Sequence, residues 1–453
     1  VMAYQNWDDH DRSQKYSAEF IADAYLESVA ENKDAMIFTI GDNDTFLLWY
    51  AQEIEGYRTD VRVINTSLLQ TDWYIDQMKR QAYQSTPIPG QLVHKQYAHG
   101  VREAIYYQKR TDNRWNIKDF VNWITSDDPS TRSSRGAGEY KQDFYYYPTN
   151  KLRIPVNKEN VLKSGIVKPE DADKIVDYID ITLPGAIDKA RIVMLDILAN
   201  NDWKRPIYFT GGSMDAAEYL WMKDYLQLDG LVYKLVPIKT PIDKNNPYDM
   251  GRIDSELMYN IVKRWTWGNM GKGGIYLDPE TRKNSIIFRG NLARLTEQLI
   301  AEGKAAKASE IIDIAMKNMP VDAYGYYFTL DPFIEGSYKV GKKEQARAIA
   351  LQVIKKYQEE LNYYTHLPAG ELNSNAKRIQ YCIDRYGEVV LLSETLDKEF
   401  YASQWAIFKD KAGLFMGEKE LEEYFKGAAS QAALDSLRNT LIDTTATSDS
   451  TEE

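Results

Sequence analysis

The spacing of apolar positions splits the chain into two unlike halves. In SAEFIADAYLESVA, residues 17–30, Phe20, Ile21, Ala24, Tyr25 and Val29 recur at helical intervals, with Ser17 as the N-cap. DAMIFTIGD is a short apolar run ending in Gly-Asp and predicts a buried strand. TFLLWYAQEIEG predicts a helix that begins at Thr45 and is closed by Gly56. DVRVINTSLL predicts a second strand, and TDWYIDQMKRQAY a second helix capped by Thr71 or Asp72. Strand, helix, strand, helix at this spacing predicts an α/β fold with a Rossmann-like, mostly parallel sheet.

The rhythm breaks over residues 87–168, which predict an insertion. PIPGQLVHKQYAHG is irregular, DDPSTRSSRGAGEYKQ (127–142) reads as a polar, exposed loop, and FYYYPTNKLRIPVNKENVL as strands with proline edges. It then resumes with a helix in IDKARIVMLDILANN, a strand in KRPIYFTGG, a helix in AAEYLWMKDYLQLDG and a closing strand in LVYKLVPI. The α/β domain is therefore expected to span 1–240, followed by a linker and interdomain seam over 241–290.

Residues 291–440 predict an all-α domain. NLARLTEQLIAEGKAAKASEIIDIAMKNMP fits the tetratricopeptide pattern, with Leu295 and Leu299 on helix A, Gly303 at the turn, Ala308, Ile312 and Ala315 on helix B, and Pro320 at the end. A second unit carries Gly341, Ala346 and Ala350, at a spacing somewhat longer than the usual repeat of about 34 residues. Further helices follow around the polar turn LPAGELNSNA, and the tail 441–453 is acidic and expected to be disordered.

Composition narrows the function classes. The 453 residues carry a net charge of −11, which disfavours nucleic acid as a partner. The single cysteine, Cys382, forms no internal disulfide and no zinc cluster. The 33 Tyr and 10 Trp suit either a large aromatic core or a surface that meets carbohydrate, peptide or a membrane interface. No segment reaches the roughly 18 apolar residues that span a bilayer, and no signal peptide is present. The opening VMAYQNW lacks an initiator Met and reads as the interior of a longer protein.

Two acidic clusters are the candidate chemistry. In GDNDTF, Asp42 and Asp44 form a D-x-D pair at the carboxyl end of the first strand, where open α/β sheets bind ligands. Such a pair can chelate Mg²⁺ or Mn²⁺. The competing reading is a strand-to-helix turn in which Gly41 supplies the backbone angle and Asn43 or Asp44 caps the helix; capping preference alone explains these residue types. In NWDDHDRS, an extended backbone puts Asp9 and Asp11 on one side and Asp8, His10 and Arg12 on the other, so they do not converge on one ion. The expectation is a hydrogen-bonded turn near the same sheet edge. Trp7 and Trp73 complete the candidate interaction set. Gly211-Gly212-Ser213 reads as a plain turn, and Trp265 and Trp267 as packing at the domain junction. His94, His99 and His366 form no metal motif, and no nucleophile elbow, P-loop or dinucleotide fingerprint occurs.

NWDDHDRS, GDNDTFLLWYAQEIEGYRTDVRVINTSLLQTDWYIDQMKR, KRPIYFTGG and WTWGNMGKGGIYLD together resemble the soluble C-terminal region of a family of large Bacteroidetes membrane proteins. That family, long of unknown function, is grouped with GT-C-type glycosyltransferases resembling protein O-mannosyltransferases. Leu47 stands where the family pattern has proline. The resemblance implies an N-terminal multi-span half that carries the catalytic acid and the lipid-phosphate-sugar donor site. This chain would be the periplasmic appendage, with no catalytic residue of its own, no cofactor, and the transmembrane half and a protein or glycan acceptor as partners. Two alternatives stand beside it: a metal-dependent enzyme using Asp42 and Asp44, and a helical-repeat scaffold that binds a peptide.

Overall fold

The computed structural model describes residues 5, 7, 11, 13–31, 33–135, 142–211, 219–240 and 250–428. Two compact units make up the chain: Lys15–Ile242 with Tyr248–Asn269, and Val1–Gln14 with Asp243–Pro247 and Met270–Glu453. Mixed sheets fill the first, and helices the second.

The first unit begins with α1 (Ser17–Glu27), β1 (Met36–Thr39), α2 (Asp42–Glu53), β2 (Arg62–Asn65) and α3 (Asp72–Met78). Small strands β3 (Ala104–Tyr107) and β4 (Trp115–Asn116) lead into α4 (Ile117–Thr125). Then come β5 (Arg132–Arg135), β6 (Gln142–Tyr147), β7 (Lys151–Pro155), β8 (Tyr178–Thr182), β9 (Ile187–Asp188) and α5 (Lys189–Asn200). β10 (Ile207–Thr210), β11 (Leu226–Asp229), β12 (Val232–Leu235) and α6 (Ser255–Arg264) complete it.

The main sheet has the order β11-β12-β10-β1-β2. Its central strands β10, β1 and β2 are parallel, while β12 and β11 join antiparallel. All four residues of β1, β2 and β10 are buried, so none of these strands shows the apolar–polar alternation of a half-solvated strand, and the polar residues at their ends, such as Arg62 and Asn65, are hydrogen-bonded within the unit. Two smaller sheets, β5-β6-β3-β9 and β4-β7-β8, form the interruption after residue 87.

Four local expectations need correction. α2 starts at Asp42, not Thr45, because Gly41 at φ 78° turns the chain directly into the helix. AAEYLWMKDYLQLDG does not end as a helix: Leu226–Asp229 is a strand, and Asp-Gly followed by alternating apolar residues is a hairpin signal. Part of the polar loop 127–142 is strand β5, paired antiparallel with β6, while residues 136–141 lie outside the described set. The polar turn 367–376 contains a helical turn, Ala369–Ser374.

Buried arginines satisfy backbone carbonyls that regular structure leaves unpaired. Arg58 Nη1 donates to Leu26 O (2.6 Å) and Val29 O (3.1 Å), and Nη2 to Ala30 O (3.1 Å), closing the C-terminus of α1. Arg102 does the same for α4, donating to Ile124 O at 2.8 Å and Thr125 O at 2.9 Å. A cation at a helix C-terminus meets orphan carbonyls and the negative end of the helix dipole together. Trp267 stacks on Phe20 of α1, ring centroids 5.1 Å apart, so this tryptophan packs within the first unit.

The second unit contains α7 (Pro279–Ala301), α8 (Ala305–Asn318), α9 (Asp331–Lys339), α10 (Lys343–Tyr364), α11 (Ala376–Leu391), α12 (Lys398–Ala412) and α13 (Glu418–Ala428). The turns α7–α8 and α9–α10 repeat the same bonds. Gly303 N donates to Ile300 O and Lys304 N to Leu299 O; Gly341 N donates to Tyr338 O and Lys342 N to Ser337 O. Both glycines are left-handed, φ 73° and 81°, as this helix ending requires. A Cβ on Gly336 of α9 would sit 3.2 Å from Thr296 Cγ2 and 3.3 Å from Ile312 Cδ1, so small residues set the helix spacing. A buried ion cluster crosses the helices: Arg385 Nη2 contacts Asp331 Oδ2 at 2.7 Å, and Arg385 Nη1 contacts Glu388. Among the described residues no helix is long and apolar enough to cross a membrane.

Candidate functional site

The carboxyl ends of β1, β2 and β10 bring Thr39, Asn65 and Thr210 to one edge, which the first turn of α2 covers. β2 lies on one side of β1 and β10 on the other, so the connections diverge here. Divergence of this kind opens the crevice in which α/β sheets bind ligands.

In this chain the crevice is closed by its own side chains. Thr210 Oγ1 donates to Asp44 Oδ2, and Ile40 N donates to the same oxygen at 3.3 Å. Asn65 Nδ2 donates to Gly41 O at 3.1 Å and to Thr45 Oγ1 at 2.9 Å, while its Oδ1 accepts from Leu68 N at 2.8 Å. The hydroxyls of Thr39 and Thr45 are 2.6 Å apart, and Thr66 Oγ1 donates to Thr39 O at 2.9 Å. Burial pushes the Asp44 carboxyl above its ordinary range, opposed by the Thr210 hydroxyl and the Ile40 amide. Asp44 Oδ1 is buried and has no hydrogen-bond partner among the described residues. Asp44 is therefore the group here with raised proton affinity and a spare acceptor.

Asp42 and Asp44 occupy the first turn of a helix, two residues apart. Such residues point about 200° apart around the axis and do not face each other. Asp42 and Asn43 are exposed while Asp44 turns inward, so the D-x-D pair does not present two carboxylates to one ion. Among the described residues no group of three or more His, Cys, Asp and Glu could hold a metal ion.

The N-terminal cluster is divided. Asp8, Asp9, His10 and Arg12 lie outside the described residues. Trp7 is exposed, and Asp11 Oδ1 accepts from Ser13 N at 2.9 Å in a local turn. Trp7 and Asp11 belong to the second unit, whereas Asp42, Asn43, Asp44 and Trp73 belong to the first. Trp73 is exposed on α3, edge-on to Tyr74. Nearby, Asp76 accepts from Tyr97 at 2.7 Å and pairs with His94 Nδ1 at 3.0 Å, while Asp72 accepts from His99 N at 3.1 Å. These histidines fasten a loop to α3. Gly211 follows β10; Gly212 and Ser213 lie outside the described residues.

The outer face of α2 carries a feature the sequence reading passed over. Phe46, Tyr50 and Ile54 are 53%, 40% and 70% exposed and recur every fourth residue, with Trp49 packed on Phe46 at 5.6 Å. They form an apolar ridge facing outward, on a helix whose other face (Thr45, Leu48, Ala51, Gln52) is buried. Beside it α1 contributes Glu19, Asp23 and Glu27, and Glu55 follows α2. Tyr50 Oη donates to Glu55 Oε1 at 2.7 Å. Burial, then the charges of Glu19, Glu27 and Glu55, push the Asp23 carboxyl up to about 6. The signal was present in TFLLWYAQEIEG: apolar residues surround this helix on every side, more than one buried face can use.

A family model described as TMEM260-associated domain 2 matches residues 18–257, just over half of the 453-residue chain. Comparison with curated proteins finds no match, and neither does comparison with solved structures. The match runs from α1 to the first residues of α6 and so contains both the closed sheet edge and the ridge of α2; the chain belongs to the family of TMEM260-associated domain 2.

Proposed function

We propose that this chain is a non-catalytic, extracytoplasmic part of a membrane glycosyltransferase of the GT-C type, held on the periplasmic side of the inner membrane by docking onto the membrane-embedded half of the same polypeptide. The observation that carries the docking role is the ridge of Phe46, Tyr50 and Ile54, flanked by Glu19, Asp23 and Glu55. An apolar strip with an acidic rim fits a segment with apolar side chains along one face and Lys or Arg beside them. We take that segment to belong to the membrane half. The inward-turned polar groups around Asp44 support a structural role for the sheet edge. In this reading the first unit is a Rossmann-like support for α2. The second is a tetratricopeptide-like stack that assists acceptor or partner binding.

The test places a photo-crosslinking phenylalanine analogue at Phe46 or Tyr50 in the full-length protein in membranes. The control position is Tyr178, 43% exposed on β8. The expected result is an intramolecular crosslink to the membrane half from Phe46 and Tyr50 and none from Tyr178. Equal labelling from all three positions, or none from α2, refutes the docking.

A further inference from the structure

The interruption after residue 87 holds a cleft of about 540 Å³, within the range of small-molecule sites. Arg114, Trp115, Asn116, Asp119, Asn122 and Trp123 line it, and the turn around Ser130 closes one end. The local fold explains the grouping. β4 carries Trp115 to the point where Asn116 caps α4, its side chain accepting from Lys118 N at 2.9 Å. Ile117, Phe120, Val121 and Ile124 then face the core. Asp119, Asn122 and Trp123 are left on the outer side, beside Trp115.

The walls are fixed and the rim is free. The two indole rings meet edge to face, centroids 5.5 Å apart. Trp123 Nε1 donates to Tyr146 O at 2.9 Å, which fixes that ring. Arg114 Nη1 donates to Leu152 O (2.9 Å) and Ile181 O (3.0 Å), and its Nε lies 3.3 Å from Asp180, which Arg153 also holds at 2.8 Å, so the Arg114 side chain is fixed in place. Asn122 Oδ1 accepts from Gln91 Nε2 at 2.7 Å, which leaves its amide N–H groups as donors toward the cleft. Asp119 is exposed and makes no hydrogen bond or ion pair among the described residues.

We propose that this cleft binds a neutral saccharide. Rigid aromatic rings offer a face for the C–H side of a pyranose, and a carboxylate beside an amide donor matches vicinal hydroxyls, which both donate and accept. The acidic groups Asp119 and Asp128 set the cleft against phosphorylated or sialylated sugars and against nucleotides, whose charge they would repel. The inference rests on these residues and not on the docking of α2, which uses none of them.

The test is saturation-transfer NMR and calorimetry on the full chain. Methyl α-mannoside, N-acetylglucosamine, cellobiose and maltotriose are the neutral probes, with glucose 1-phosphate and sialyllactose as charged controls. At least one neutral sugar is expected to bind. Asp119→Ala, which removes an exposed side chain with no partner among the described residues, should weaken it by about tenfold, the loss of one hydrogen-bonded group. Trp115→Ala should abolish it. Trp123→Ala serves only with circular dichroism as a check of folding, since its indole is structural. Absence of binding by every neutral probe, binding of the charged sugars alone, or binding that survives both Asp119→Ala and Trp115→Ala overturns the proposal.

Discussion

The hydroxyl of Thr210, the last residue of β10, donates to Asp44 Oδ2 in the first turn of α2 and so closes the crevice between two neighbouring parallel strands. Thr210→Val removes this donor and leaves Asp44 Oδ2 with only the Ile40 amide at 3.3 Å, on a carboxylate whose other oxygen has no partner among the described residues. The expected loss is about 1–3 kcal/mol, the range for losing one hydrogen bond to a buried charged group. Urea unfolding measures it, and a change within experimental error would mean that water replaces the hydroxyl without cost.

Divalent cations should leave the chain unaffected. Asp42 and Asp44 diverge on the first helical turn, so Mg²⁺, Mn²⁺ and Ca²⁺ are expected to give neither heat nor a change in Tm. A saturable shift removed by Asp44→Asn would restore the metal-dependent enzyme as the better reading.

The Asp23 carboxyl titrates at about 6 when folded against an ordinary 3.8. A raised pKa means that the folded state favours the protonated form. The contribution is complete below 3.8 and is lost as the pH rises through about 6. Asp23→Asn should therefore match the wild type near the acid end and exceed it at neutral pH, by about 1 kcal/mol once screening of this partly exposed group is allowed for. Unfolding curves across that range measure the difference. If the ridge of α2 is covered by a basic segment in the full-length protein, the advantage of the variant should shrink there.

Arg385 is enclosed with Asp331 and Glu388 in the helical unit. Asp331→Ala leaves the guanidinium buried beside a single carboxylate, and the expected loss is about 3–5 kcal/mol. Replacing Asp331, Arg385 and Glu388 together by Leu, Met and Leu should cost far less, because no charge is then stranded. Equal losses for the single and triple variants would show that packing, not charge, dominates this cluster.

Gly303 and Gly341 end α7 and α9 with φ of 73° and 81°, and nothing lies within 4 Å of a Cβ added at either. Alanine at each should cost about 1 kcal/mol through backbone strain alone. Similar penalties at both positions, read from thermal unfolding, would match the shared turn geometry; a cost at only one would separate the two helix pairs.

Local pattern carried much of this molecule. The short runs MIFT, RVIN and IYFT are strands covered on both faces, with apolar residues at their centres and polar ones only at their ends. The glycine turns of the helix pairs were equally legible, since few residues but glycine adopt the left-handed angle without strain. The amphipathic pattern of α4, capped by Asn116, was also present in the sequence but was obscured by the irregular segments around it.

Tertiary structure decided the rest, because it depends on which neighbour each side chain meets. No spacing rule links Asp44 to Thr210, which are far apart in the chain and adjacent only once β10 lies beside β1. The same pairing turns LQLD into a strand, because β12 offers it a free edge. It also decides which carboxylates are used up: Asp44 is claimed by the sheet, while Asp119 stays open on the outer side of α4. Residue type sets what a group can do, and the packing around it decides whether the group is satisfied within the chain or left available to a ligand.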